Sequence, residues 1–388
     1  MSNAAGRFWD ELKKFSISLT LFVFLALGDI IFTMNFFSIS IFAALSITSV
    51  ISTVYAEDVL LIPNSLGDNV WAFSPLDGSL ISNNFIPSDG HLSQPIEIVV
   101  TPFETLLISD EVANAIFEYS KSGTYLRTIV GPADGVSRAY GLEMVGDWIY
   151  FSTSITIGSK TIGQLNRVRY DGTEFGIWCV ANSIISPRDI VYIGNGNFLV
   201  SDSGTAISGG EDIELVHDDC VVQSPTWHDS DGINGIDFPQ HIHLRGDGSA
   251  LVAGFSDPSG IFQYDLGTGI ELSRFSGLVT IPRGVFQLDN GNILYAGGTR
   301  VMVIDVTLGT EITIVNQLTP TASFRWPTRV TLPLPCLADL NGDRSINGTD
   351  LTIVLSGWGT MSGDINGDGT TDGVDLASLL SRWGAICP

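Results

Sequence analysis

Residues 94–123 read QPIEIVVTPFETLLISDEVANAIFEYSKSG, and they contain the unit on which the prediction of the fold depends. The unit begins with a proline and a short strand, which is followed by an apolar run, TLLISD. A polar bend and a second run, AIFEYS, then lead to a glycine. Short apolar runs between turn residues are typical of β-strands, so this unit predicts several short strands in succession.

The same unit recurs about every 45 residues through residues 58–333, a period typical of repeat architectures. The clearest copies begin at Gln94-Pro95, Ser186-Pro187, Phe238-Pro239 and Ile281-Pro282, with a fifth at Arg138-Ala139. A sixth copy is divided between the two ends of the array. Its first strand is WPTRVTL at 326–332, and the rest comes from residues 59–62, 69–74 and those after Gly78. A divided copy closes a ring, which leaves no long strand edge exposed.

This array resembles the NHL-repeat and related six-bladed β-propellers. The resemblance implies a mainly β fold with six blades over residues 57–333. Five or seven blades are alternatives, because residues 203–237 are irregular. A β-sandwich is another alternative, since sandwiches also contain short strands at regular spacing.

Alignment of the copies at the proline step selects one position, two residues later, that is expected to face the central channel or its mouth. It holds Glu97, Gly141, Asp189, His241, Gly284 and Arg329. The four polar side chains, Glu97, Asp189, His241 and Arg329, are therefore candidates for binding a metal or a polar ligand. The alternative is a solvated network of ion pairs around a water-filled channel. A catalytic zinc held by three histidines is not supported, because this ring contains one histidine.

The C-terminal part contains a duplicated twelve-residue pattern, DLNGDRSINGTD at 339–350 and DINGDGTTDGVD at 364–375. Ca²⁺ takes six to eight oxygen ligands, and a loop with oxygens at positions 1, 3, 5, 7, 9 and 12 wraps around it. The first copy offers Asp339, Asn341, Asp343, the Ser345 carbonyl, Asn347 and Asp350. The second offers Asp364, Asn366, Asp368, the Thr370 carbonyl, Asp372 and Asp375. The sequence therefore predicts two Ca²⁺ ions.

Both loops depart from an EF-hand, because position 12 is Asp rather than Glu. Position 6 is Gly369 in the second loop but Arg344 in the first, so the first loop is expected to bind more weakly. Each loop leads into a short apolar helix, in LTIVLSGWG at 351–359 and LASLLSRWG at 376–384. The alternative interpretation is a pair of Asx-rich turns that only cap these helices.

The duplicated loop and helix are similar to a dockerin, over residues 336–388 of a module that we place at 334–388. Dockerins are calcium modules of secreted proteins, often from polysaccharide-degrading systems, and they bind cohesin domains. The resemblance implies docking to a cohesin-like or cell-surface protein, or to a glycan. The polar pair with which dockerins often choose their partner is absent, because its places hold Gly348, Thr349, Gly373 and Val374. Cohesin binding is therefore an open question.

The chain has 42 acidic and 18 basic residues and a net charge of −24. This balance argues against nucleic acid as a partner, because phosphate binding needs a basic surface. Part of the acidity is local, since seven Asp and two Arg lie from residue 336 onward. Two Ca²⁺ ions would neutralise most of that local charge.

Four cysteines occur in two pairs. Cys336 and Cys387 bracket the duplicated loops, and we predict a disulfide between them, because so small a module buries little core. Cys179 and Cys220 either bridge neighbouring outer strands or remain two buried thiols.

Residues 1–56 contain two apolar stretches, at 15–28 and 35–56, which follow Lys13 and Lys14. This pattern is typical of an export signal, and Met34 offers an alternative start. An uncleaved membrane anchor is the alternative, because either stretch approaches the length of a transmembrane helix. Both interpretations place the body of the protein outside the cytoplasm.

No nucleophile elbow, HExxH, Walker loop or dinucleotide fingerprint occurs in the sequence, so catalytic residues cannot be named. We therefore favour a secreted calcium-binding protein, in which a propeller that binds or scaffolds carries a dockerin-like docking module. The alternative is an extracellular propeller hydrolase or lyase of polysaccharide catabolism, with the module as its anchor.

Overall fold

The computed structural model describes residues 58–157, 160–180, 183–204, 212–223, 226–230, 235–317, 322–332, 338–343, 345–366 and 368–384. Within these ranges 23 strands form six sheets, and two short helices follow them. The expected export signal or membrane anchor lies outside the described residues, as do Cys336 and Cys387. No helix in the described ranges combines the length and the apolar character that a membrane span needs.

Each sheet is one blade of a β-propeller, and blades are numbered here from the first complete one. Blade 1 consists of β4 (Pro95–Val100), β5 (Thr105–Asp110), β6 (Ala115–Ser120) and β7 (Tyr125–Val130). Blade 2 consists of β8 (Ala139–Val145), β9 (Trp148–Ile157), β10 (Lys160–Arg169) and β11 (Gly176–Cys179). Blade 3 has three described strands, β12 (Pro187–Gly194), β13 (Asn197–Asp202) and β14 (Ile213–His217).

The remaining blades follow the same up-and-down order. Blade 4 consists of β15 (Pro239–Leu244), β16 (Ser249–Gly254), β17 (Gly260–Asp265) and β18 (Glu271–Ser276). Blade 5 consists of β19 (Gly284–Gln287), β20 (Ile293–Gly297), β21 (Arg300–Asp305) and β22 (Thr310–Asn316). Blade 6 combines β23 (Thr328–Thr331) with β1 (Asp58–Asn64), β2 (Asn69–Phe73) and β3 (Leu80–Ile86).

Blade 6 confirms the predicted closure, because its first strand comes from the end of the array and the others from its beginning. β23 pairs antiparallel with β1, and Val330 lies opposite Val59. The count of six blades is also confirmed. Sheet pairing between the two ends therefore joins the first and last parts of the ring.

The hydrophobic core lies between neighbouring blades. In β1, Val59 and Leu61 pack toward blade 1, whereas Leu60 and Ile62 pack toward blade 5. Successive side chains of a strand point to opposite faces, so a strand with blades on both sides must be apolar throughout. This requirement explains why the strands of the blades are visible in the sequence as uninterrupted apolar runs.

The irregular part of blade 3 carries a disulfide. Cys179, at the end of β11, is bonded to Cys220, in the turn after β14, with their Cα atoms 5.1 Å apart. The Trp178 indole also donates a hydrogen bond to the Asp218 carbonyl at 2.7 Å. The disulfide interpretation of this pair is confirmed, and it links the outer edge of blade 2 to blade 3.

The C-terminal helices are α1 (Gly348–Ser356) and α2 (Gly373–Ser381). Asn347 caps α1 by accepting a hydrogen bond from the Thr349 N–H, and Asp372 caps α2 in the same way. Val354 and Leu379 pack together with Ile346 and Ile365 in a small core. Each helix has nine residues, so the described structure of this region consists of two short helices and their loops.

Candidate functional site

Three of the four predicted channel residues lie together at the propeller axis. Glu97, Asp189 and His241 come from blades 1, 3 and 4, and one ligand atom of each lies within 4.8 Å of the others. All three side chains are buried. The structure therefore brings these residues of distant blades into one cluster.

The fourth residue, Arg329, is not part of this cluster. Its guanidinium is exposed and forms ion pairs with Asp58 and Asp289, both at 2.6 Å. The error comes from the strand register in blade 6. Asn64 lies opposite Phe324, as Asp110 lies opposite Pro95 in blade 1, so Phe324 occupies the place that Pro327 was expected to take.

Trp326 therefore completes the ring in place of Arg329. Its backbone N–H donates to the Ile96 carbonyl at 3.4 Å, as the His241 N–H donates to the Arg283 carbonyl at the same distance. The indole also stacks on the His241 ring, with the centroids 5.7 Å apart. Because the sequence alignment used Pro327 as the proline step, it did not select Trp326, the residue next to it, for the ring.

The buried cluster joins neighbouring blades through hydrogen bonds. Glu97 accepts from the Leu142 N–H of blade 2 at 2.5 Å, and Asp189 accepts from the Ile242 N–H of blade 4 at 2.6 Å. The Val285 N–H of blade 5 donates to Nδ1 of His241 at 3.2 Å, which leaves the imidazole proton on Nε2.

Glycine takes the equivalent place in blades 2 and 5. A Cβ on Gly141 would lie 2.5 Å from the Arg188 carbonyl, and one on Gly284 would lie 2.4 Å from the Arg325 carbonyl. The next blade approaches too closely for any side chain. The ring therefore joins blades by hydrogen-bonding side chains in blades 1, 3 and 4 and by close backbone contacts in blades 2 and 5.

Burial strongly shifts the pKa values of all three side chains in this cluster. Burial, and then the Asp189 carboxylate, raise the pKa of Glu97 well above its ordinary value, and burial raises the pKa of Asp189 to about 7. Burial and then His243 lower the pKa of His241 to about 3, so the imidazole is neutral. Two carboxylates and an imidazole are donors that a divalent cation accepts. Each of the three side chains also accepts a backbone hydrogen bond, so the cluster serves as a structural network between blades.

A pocket of 360 Å³ lies next to this ring. It is lined by the residue immediately before the ring position in each of the six blades: Ile96, Tyr140, Arg188, Gln240, Arg283 and Arg325. The other lining residues are Gln94, Glu111, Phe238, Phe255 and Trp326. Sequence analysis missed this set. Shifting the alignment by one residue would have revealed Arg188 and Arg283 but not Arg325, because blade 6 was aligned at Pro327 instead of Phe324.

β-Bulges explain why adjacent residues have separate roles. In blades 1 to 4 the pairing of the first two strands shifts register between the proline step and the residue three positions later. The two residues inside the shift are a pocket residue and a ring residue, for example Arg188 and Asp189. A bulge re-aims side chains and is common beside binding sites.

Serines at the end of the second strand hold the pocket residues in place. The Ser201 hydroxyl accepts a hydrogen bond from the Asp189 N–H and donates to the Gln240 carbonyl of the next blade. Ser109 and Ser152 make the corresponding bonds to the Tyr140 and Arg188 carbonyls. The backbone of three pocket residues is thus fixed by the preceding blade.

The three pocket arginines are held by serine hydroxyls and aromatic rings. Arg188 Nε donates to Ser203 Oγ and Arg325 Nε donates to Ser65 Oγ, both at 2.8 Å. The Arg283 guanidinium lies 4.0 Å from the centre of the Phe255 ring. Among the described residues no carboxylate forms an ion pair with any of the three arginines.

Like charges in the pocket oppose one another. Burial, followed by Arg325 and Arg188, lowers the pKa of Arg283 to about 9, and burial lowers that of Arg325. Glu111 is the carboxylate that lines the pocket, and it accepts a hydrogen bond from the Tyr140 hydroxyl at 3.2 Å. The pocket therefore carries net positive charge in a protein of net charge −24.

The two predicted calcium loops have the same internal hydrogen bonds. Asp350 is buried and accepts from the N–H groups of Leu340 and Asn347 at 2.8 and 2.9 Å. Asp375 is buried and accepts from the equivalent N–H groups, 25 residues later in the sequence, at 2.8 Å each. Position 12 thus closes each loop onto its own backbone.

The early positions of the loops are exposed oxygen donors. Asn341 donates to Asp343 and Asn366 donates to Asp368, at 2.8 and 3.0 Å. Gly369 has φ of +94°, a conformation that favours glycine, whereas Arg344 lies outside the described residues.

The described part of the chain contains one further group of three metal-type donors, His217, Asp218 and Asp219. It lies in the turn after β14, where exposed acidic groups are ordinary. We assign no role to it.

No family model and no curated protein matches the sequence. Among solved structures, a chain of a nidogen/laminin complex is similar, with 13% identity and a TM-score of 0.57 over 71% of this chain and 100% of that one. The WD40 β-propeller domain of Doa1 is 17% identical, with a TM-score of 0.45 and coverage of 69% and 82%. Virginiamycin B lyase from Staphylococcus aureus is 17% identical, with a TM-score of 0.43 and coverage of 60% and 73%. Likeness at such identities concerns the fold alone.

Proposed function

We propose that this protein is an exported calcium-binding protein, in which the propeller is the binding domain and residues 334–388 form a dockerin-like module for two Ca²⁺ ions. The observation that carries the proposal is the repetition of one oxygen-rich loop with the same hydrogen bonds, 25 residues apart. Ca²⁺ prefers such sets of carboxylate, amide and carbonyl oxygens. Capping of a helix alone would not require Asp or Asn at positions 1, 3 and 5 of both loops.

Export is supported by two features. The apolar N-terminal residues have the pattern of an export signal, and the Cys179–Cys220 disulfide is of a kind that persists in oxidising surroundings. Calcium is abundant outside cells, so a loop of moderate affinity would be occupied there.

Calcium is expected to act by folding the module. Without a cation the carboxylates of each loop repel one another, and binding energy then becomes folding energy. Docking to a cohesin-like protein, a cell-surface protein or a glycan would accordingly depend on calcium. The polar pair with which dockerins often choose a partner is absent, because its places hold Gly348, Thr349, Gly373 and Val374. A pull-down with and without calcium would therefore identify which of these partners is bound.

The test is calorimetric titration of Ca²⁺ into the full-length protein after removal of divalent cations. We expect two ions per chain and, on chelation, loss of helical circular dichroism and protease resistance in residues 334–388. Asp364→Ala with Asp368→Ala should abolish the tighter site, because Gly369 makes the second loop the better one. Asp147→Ala, at an exposed propeller turn, is the control. Unchanged structure after chelation, or titration without binding, would refute the calcium role.

The alternative of an extracellular hydrolase or lyase has less support. Glu97, Asp189 and His241 are buried, and each accepts a backbone hydrogen bond, so these groups are occupied in holding blades together. We therefore favour binding over catalysis.

A further inference from the structure

We propose that the pocket lined by Arg188, Arg283 and Arg325 binds a small organic anion through its carboxylate group. This inference rests on the proposed role of the propeller as a binding domain, and it is independent of the calcium module. None of the ring residues Glu97, Asp189 and His241 is required for it.

Charge is the first argument. Three guanidinium groups and a single carboxylate, that of Glu111, line one pocket, and within the described residues none of the three arginines forms an ion pair with a carboxylate. Clustering of buried like charges destabilises a folded protein, so an arrangement of this kind usually has a compensating function. An anionic ligand would supply the missing counter-charge.

Unpartnered hydrogen-bond donors are the second argument. Gln240 Nε2 and Trp326 Nε1 are buried and have no acceptor among the described residues. The two side chains are only 3% and 1% exposed, and both line the pocket. A buried donor without a partner costs free energy, and such donors are rare in native structures. A ligand oxygen would satisfy them.

The geometry of the arginines favours carboxylate. Hydrogen bonds to Ser65 and Ser203 occupy the Nε atoms of Arg325 and Arg188, which leaves their terminal N–H groups free of acceptors in the described structure. A planar guanidinium with free N–H groups binds carboxylate at two points.

The apolar lining favours an organic ligand over an inorganic ion. Phe238 and Phe255 lie with ring centres 5.6 Å apart, and Ile96 faces the same space. A volume of 360 Å³ is at the small end of the range for ligand pockets. Glu111 and Gln94 offer acceptors that a hydroxyl group of the ligand could use.

The test is calorimetric titration of the full-length protein with succinate, D-glucuronate, benzoate, inorganic phosphate and sulfate, at low salt, with calcium and again after calcium has been removed on a chelating resin. We expect at least one carboxylate to bind, with equal affinity in both conditions. The Trp326 indole N–H resonance, assigned with Trp326→Phe, should shift when the ligand supplies an acceptor. Calcium binding is scored separately, so failure of one proposal does not imply failure of the other.

Two variants locate the site. Arg283→Met and Arg188→Gln should each weaken carboxylate binding at least about tenfold, because each removes a charge-assisted hydrogen bond. Arg283→Met should also raise the melting temperature, since it relieves repulsion within the pocket. A raised melting temperature shows that the variant is folded, so its weaker binding cannot be explained by misfolding. Arg300→Gln, at a partly exposed arginine of blade 5, is the matched control and should bind normally.

Four results would overturn the proposal. They are absence of carboxylate binding at millimolar concentration, binding of phosphate or sulfate alone, undiminished binding by both pocket variants, and an unchanged Trp326 resonance at saturation.

Discussion

Adjacent residues have separate tasks at the propeller axis. Asp189 and His241 bond one blade to the next, while the residues just before them, Arg188 and Gln240, line the pocket. The bulge in each first strand makes this division possible, because it turns two consecutive side chains to different surroundings. Contacts between blades and the lining of the pocket are therefore assigned to neighbouring positions.

The stability of the cluster should depend on pH. The folded-state pKa of Asp189 is about 7 against an ordinary value of 3.8, so the folded state holds more protons than the unfolded state between these values. The free energy of unfolding should then fall as the pH rises from about 4 to about 7. Burial also raises the pKa of Asp202 to about 7, so this carboxyl contributes to the pH dependence in the same direction.

Glu97→Gln tests this expectation. The amide oxygen can still accept from the Leu142 N–H, while the repulsion of Asp189 is removed. We expect guanidinium denaturation to show a smaller loss of unfolding free energy between pH 5 and 8, by about 1 kcal/mol or more. Glu174→Gln, at an exposed carboxylate, should keep the wild-type slope. An equal slope in all three proteins would contradict the assignment.

At the scale of elements, the prediction of the propeller depends mainly on the second strands of the blades. β5, β16 and β20 are almost wholly buried because blades cover both faces, so their sequences are uninterrupted apolar runs. β23 was harder to predict, since Pro327 resembles the proline step but lies three residues after Phe324, which occupies that place. Only pairing with β1 sets its register, and it joins strands as far apart in sequence as the 271 positions between Asp58 and Arg329.

The disulfide is expected to stabilise the edge where blade 3 has three described strands. Replacing Cys179 and Cys220 together by serine should lower the free energy of unfolding by roughly 3–4 kcal/mol, from the entropy of a loop of 41 residues. Proteolysis should increase around residues 212–223, which include Cys220. Thermal unfolding of the double variant measures the change, and a melting temperature equal to that of the wild type would contradict it.

At the scale of the whole molecule, the core is six interfaces between blades. Each of six buried clusters contains side chains of two neighbouring blades, including the pair formed by blades 6 and 1. A blade therefore has little core of its own. The joint in blade 6 is the pairing of β23 with β1. Weakening this joint should lower the stability of the whole ring, because the blades unfold cooperatively.

Val330→Ala tests the joint. Val330 is fully buried in β23 and packs between blades 6 and 1, so its truncation should cost about 2 kcal/mol and destabilise the propeller as one unit. Thr310→Ala, at the exposed start of β22, should have little effect. Hydrogen exchange would reveal the scope of the change, and faster exchange confined to β23 would contradict whole-ring coupling.

The sequence by itself determined the repeat and the divided last blade, and it indicated six blades with five or seven as alternatives, because burial on both faces imposes apolar runs that are visible locally. It also placed Glu97, Asp189 and His241 on one ring. Only the tertiary structure decided that Trp326 rather than Arg329 completes that ring, and that Arg188, Arg283 and Arg325 meet in one pocket. Those residues come from different blades, and their meeting depends on bulges and register, which arise from pairing between distant strands and leave no local pattern.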